Sequence, residues 1–67
     1  MENKILLKLP KKKIANLNKI IEGYDNLGLV TTINADEGLA LIHVTPDTRA
    51  PILKILAELT FIEVLQD

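Results

Sequence analysis

The 67-residue chain has no cysteine and no tryptophan, and tyrosine, phenylalanine and methionine occur once each. Without cysteine there is no disulfide framework of the kind that staples small secreted domains. There is also no Cys-x-x-Cys pair, no glycine-rich phosphate loop and no nucleophile motif. Neither sign of charge dominates: eight basic side chains against nine acidic ones leave a formal net charge of −1. No apolar run approaches the roughly 18–20 residues that a membrane-spanning helix needs. Only three consecutive apolar residues, Ile5 to Leu7, precede the lysines at 11–13, unlike a secretory leader. A cytoplasmic protein with no membrane role is the expectation.

What the chain does have is aliphatic side chains. The apolar share is 48%, which excludes a disordered polymer. The length fits one domain, residues 1–67. A domain this small buries only about 60% of the surface its unfolded chain exposes. With no disulfide or metal cluster available, association with a second copy is the remaining way to cover the aliphatic excess. A homo-oligomer, most simply a twofold dimer, follows.

The periodicity divides the chain into six elements. Residues 4–9 alternate, with Ile5, Leu7 and Leu9 on one face and Lys4, Leu6 and Lys8 on the other. Pro10 ends that strand. Ile14, Leu17, Ile20 and Ile21 recur at helical spacing over residues 11–23, and Tyr24 extends the stripe. Gly23 sits where a helix stops in the left-handed conformation. Residues 27–33 and 39–45 are aliphatic and β-branched, joined by the polar turn 34–38, and read as a hairpin. Pro46, Asp47 and Thr48 offer a cap for a second helix, with Pro51 in its first turn and Ile52, Leu53, Leu56 and Leu59 on its apolar stripe. Residues 60–65 close the chain as a strand.

Strand, helix, strand, strand, helix, strand is the order of the ferredoxin-like βαββαβ sandwich, an α+β fold with two helices on one face of a four-stranded antiparallel sheet. Right-handed crossovers put the first and third strands in the centre. The helices cover only one face, so the other should be polar. It is not: Leu6, Leu41, His43, Phe61 and Leu65 fall there by alternation. These five are the candidate oligomer contacts.

Chemistry is sparse. Residues 1–24 carry a balance of +4 and residues 25–67 a balance of −5. Lys11, Lys12 and Lys13 open the first helix, where the backbone dipole disfavours cations. They are a candidate site for a small anion or a phosphate-bearing metabolite, with a solvated charge run as the plainer reading. Nucleic acid is a poorer fit, because an RNA-binding sheet of this topology stacks bases on aromatics that are missing here. His43 is the single histidine, with no second histidine to share a metal and no nucleophile beside it in sequence. The carboxylates of Asn34–Gly38 are too few for a calcium loop. No catalytic residues, metal or cofactor are therefore expected, and the protein is not expected to be an enzyme.

The whole chain resembles the ACT-like branch of ferredoxin-like small domains. The run Glu22-Gly23-Tyr24-Asp25-Asn26-Leu27, with Thr31-Thr32 and the Pro46 turn, resembles a family of short stand-alone bacterial proteins known only as a domain of unknown function. The ACT-like resemblance implies pairing into dimers and amino-acid binding near the turn after the first strand, and the function expected of the chain is that of a non-catalytic, self-associating module, regulatory or adaptor-like. Glycine is usual in that turn; here it is Leu9-Pro10-Lys11.

Overall fold

A computed structural model describes residues 3–23 and 28–66. Strand β1 is Lys4–Lys8 and leads through a three-residue 3-10 turn, Lys11–Lys13, into helix α1, Ile14–Glu22. Strands β2, Leu29–Asn34, and β3, Leu39–His43, form the hairpin. Helix α2, Pro46–Ala57, and strand β4, Glu63–Gln66, complete the chain. The sheet order is β2-β3-β1-β4, antiparallel throughout, with β1 and β3 central as the crossover rule requires. This is the ferredoxin-like α+β arrangement.

The two-residue period decides which side chains meet the helices. Ile5 and Leu7 of β1 pair across the strands with Ile42 and Ala40 of β3, and all four are buried. Leu17 and Ile21 of α1 and Ile52 and Leu56 of α2 close over them in one core that also takes Leu9 and Val44. Both helices therefore cover the same face. Val30 of β2 packs at the margin.

Glycine positions two of the junctions. A Cβ on Gly28 would come within 2.8 Å of both Ile42 Cγ2 and Ile52 Cδ1, so the start of β2 lies flush against the core. Gly38 ends the hairpin turn at φ +69°, a left-handed backbone that side chains with a Cβ adopt at a cost. Its carbonyl accepts the Leu9 N–H at 2.9 Å, and a Cβ there would press into the Leu9 carbonyl oxygen. Within the turn, Asn34 Oδ1 accepts the Glu37 N–H at 3.1 Å.

Several local expectations are corrected. Helix α2 starts at Pro46, and its cap is Thr45. Thr45 and Thr48 form a reciprocal capping box: each hydroxyl accepts the other's backbone N–H, at 3.2 and 2.8 Å. Pro51 consequently lies inside the helix and not in its first turn. Gly23 caps α1 at φ −70°, ψ −10°, right-handed and not left-handed. Residues 60–62 are not strand. After Ala57 the chain continues in tight turns, with the Leu59 N–H on the Leu56 carbonyl and the Ile62 N–H on the Leu59 carbonyl, and β4 begins only at Glu63. Leu59, Phe61 and Ile62 pack against the core from this connection. Tyr24, Asp25, Asn26 and Leu27 lie outside the described residues.

Candidate functional site

The uncovered face of the sheet is built in three rows. Leu29, His43 and Lys4 lie abreast at one end. Thr31, Leu41, Leu6 and Gln66 form the middle row, and Asn34, Leu39, Lys8 and Glu63 the far one. Leu6, Leu39, Leu41 and His43 are half-buried there with no helix above them. Thr31 Oγ1 and His43 Nε2 lie 3.0 Å apart, which ties β2 to β3 across this face. Among the sequence-based candidates, Leu6 and Leu41 are direct cross-strand partners and His43 sits one row away. Leu65 is at the margin of the same face, in β4, 43% exposed, beside Lys8, Leu39 and Glu63. Phe61 does not join them. It precedes the strand and packs on the core.

Sequence reasoning passed over the most exposed apolar residues. Leu29 is 67% and Ile33 53% exposed, and both are on β2. Leu65 and Val64, the other large apolar side chains left open among the described residues, are on β4. All four therefore stand on the two edge strands. The signal was present in the topology: crossovers that centre strands one and three leave strand two at an edge, where its outer neighbours are missing.

The three lysines occupy the 3-10 turn ahead of α1, and two of them have partners on other connections. Lys11 Nζ is 2.9 Å from Asp36 Oδ1 in the hairpin turn, both side chains largely exposed. Lys13 Nζ lies 5.6 Å from the centroid of the Phe61 ring, within cation–π reach. The dipole at the start of α1 is thus flanked by cations whose charge is directed sideways, and no acidic residue stands in its first turn. Lys8, Pro10, Lys11, Glu37, Thr60 and Phe61 border an open hollow of about 600 Å³ at this end of the sheet. Its charges are mixed in sign.

Among the described residues, no polar or charged side chain is buried, and no three His, Asp or Glu side chains gather to hold a metal ion. No helix among them is long and apolar enough to cross a membrane. The geometry offers apolar surface at strand edges and little else that is unusual. No curated protein and no solved structure matches the chain. A protein-family model described as a domain of unknown function (DUF4911) matches residues 7–62, and the chain belongs to that family.

Proposed function

We propose that this protein is a non-catalytic, self-associating module whose role is carried by its assembled form, as a regulatory or adaptor-like domain. The observation behind this reading is the location of the exposed apolar side chains. Leu29, Ile33 and Leu65 stand on the edge strands, 43–67% exposed, next to a sheet face already lined by Leu6, Leu39 and Leu41. A monomer leaves such a patch in water, and a patch of this kind marks a protein contact. A second copy is the simplest occupant, because a homo-oligomer needs no partner beyond the chain itself.

The alternative role, a sensor of small anions at Lys11–Lys13, has less support. A ligand there would compete with Asp36 for Lys11 and with the Phe61 ring for Lys13. The ACT-like resemblance of the sequence also implies a paired module, and the turn at which it implies amino-acid binding is here Leu9-Pro10-Lys11, without the usual glycine.

Sedimentation velocity of the untagged protein over a wide concentration range tests the proposal. A dimer that grows with concentration is the expected result. A monomer at every concentration up to several hundred micromolar would overturn it. Native mass spectrometry of the same sample reports any small molecule that travels with the dimer.

A further inference from the structure

We infer that the second copy seats its own open sheet face on this one, the two sheets stacked with their strands reversed, so that the Lys4 end of each face lies over the Glu63 end of the other; this rests on the self-association reading above. The surface has the anatomy of a contact. Its centre is the cross-strand pair Leu6 and Leu41, half-buried with no helix above. Leu29 of β2 and Leu65 of β4 extend the apolar area to both margins. The charged side chains of the strands, Lys4, Lys8 and Glu63, stand in the two end rows. An apolar centre within a polar rim is how protein interfaces are built. Four strands about 4.8 Å apart, each roughly five residues long at about 3.4 Å per residue, make a face of about 19 by 17 Å. That is the low end for a specific interface, so the dimer is weak and depends on concentration.

Charge selects the occupant and its orientation, because the face is polarised along the strands. At one end Lys4 stands beside His43, with no carboxylate among the described residues of that row. At the other, Glu63, Asp36 and Glu37 gather with Lys8, and Lys11 is held by Asp36. Three carboxylates against two lysines leave that end net negative. A partner of one sign would meet like charge at one end, whereas a second copy turned end for end supplies the opposite sign at both. Two twofold alignments stack one open face on another. An axis along the strands sets each end over its like, carboxylates on carboxylates. An axis across the strands, through the middle row, exchanges the ends. Leu6 and Leu41 then meet their own counterparts across sheets about 10 Å apart. Glu63, in register with Lys8 of its own chain, is brought beside Lys4 of the second copy, and this contact forms twice.

Two sets of variants, read by sedimentation velocity, test the surface and then the orientation. Leu41→Glu puts a charge at the centre of the contact and should abolish the dimer. Leu6→Glu repeats the test on the neighbouring strand, and far-UV circular dichroism checks that each variant keeps the parent fold. For the orientation, Lys4→Glu is made in one chain and Glu63→Lys in another. Both positions are exposed. Alone, each variant sets like charges together twice and should weaken the dimer by about tenfold. An equimolar mixture restores both opposite-sign contacts and should recover the parent affinity as a heterodimer. A dimer that persists in folded Leu41→Glu and Leu6→Glu would overturn the open face as the contact and leave self-association standing. A dimer that both of these abolish, but that Lys4→Glu leaves unchanged or tightens, would overturn the reversed orientation. A wild-type protein that never dimerises would remove the underlying reading itself.

Discussion

Replacing Gly38 with alanine should come close to unfolding the protein. Two independent effects act at this one position. The backbone holds φ +69°, and an L-residue with a Cβ pays roughly 1–2 kcal/mol for that conformation. The new methyl would also press into the carbonyl oxygen of Leu9, with the carbonyl carbon only 3.1 Å away. Relief requires Leu9 and Gly38 to separate, and that stretches the 2.9 Å hydrogen bond from the Leu9 N–H to the Gly38 carbonyl. Both residues are buried, so parting them leaves a donor and an acceptor without partners, at about 1–3 kcal/mol. The total is about 2–5 kcal/mol, against a stability of roughly 3–10 kcal/mol for a domain of this length. Urea denaturation followed by circular dichroism measures the loss directly. Asparagine separates the two effects, because it tolerates the left-handed region but still carries a Cβ. If the Leu9 contact dominates, Gly38→Asn is nearly as damaging as Gly38→Ala. An alanine variant within 1 kcal/mol of the parent would refute the whole account. An asparagine variant that recovers most of the loss would refute the contact as its main cause.

The other perturbations are smaller and differ in sign. Pro51→Ala restores an N–H for the Asp47 carbonyl inside α2 and removes an exposed ring, so stability should rise by about 1–2 kcal/mol, less than the full helix-interior penalty because proline also restricts the unfolded chain; a lower melting temperature would show that the helix is shaped around the ring. Thr45→Ala removes one half of the capping box and should cost about 1 kcal/mol in the same urea assay, whereas Thr45→Ser should cost a few tenths at most. Gly23→Ala, at a right-handed position, should shift stability by under about 1 kcal/mol, in contrast to the same change at Gly38. Changing Lys11, Lys12 and Lys13 together to Gln should leave the melting temperature insensitive to added phosphate or nucleotide, as in the parent; a ligand-induced rise in the parent that the triple variant lacks would revive the anion-sensor reading.

The element order and the topology were legible because two periods alternate along the chain without ambiguity. Ile5, Leu7 and Leu9 against Lys4 and Lys8 is a period of two, and Ile14, Leu17 and Ile21 is a period near 3.6. Given that order, the handedness of crossovers leaves few arrangements. The misplaced boundaries have local causes. Thr45 is β-branched and reads as the end of a strand, yet the same hydroxyl is a cap acceptor, and Pro46 suits the first helical position that follows it. Residues 60–62 have strand-like side chains, but the bonds from Leu59 and Ile62 back to Leu56 and Leu59 carry turns past the helix end, and Phe61 packs on the core from there. Gly23 shows that a glycine at a helix end marks a stop without requiring the left-handed form.

The lysine run looks like a ligand site in sequence because three cations in a row before a helix oppose the helix dipole. The structure supplies what a single sequence window cannot: partners 25 and 48 positions away, Asp36 for Lys11 and Phe61 for Lys13. Each exposed interaction is modest, about 0.2–1 kcal/mol for such an ion pair and of similar size for an exposed cation over a ring. Their placement matters more than their strength. Lys11 fastens the turn after β1 to the hairpin turn, beside the bond between Leu9 and Gly38. Lys13 fastens the start of α1 to the connection ahead of β4. Three connections are thus held together at one end of the sheet, where Gly38 is indispensable and the charges answer one another within the chain. The β2 edge has the opposite character: an uncharged strand whose Leu29 and Ile33 are open to solvent. A functional contact belongs where the chain leaves its own groups unmet, and that condition favours the β2 edge over the lysine turn.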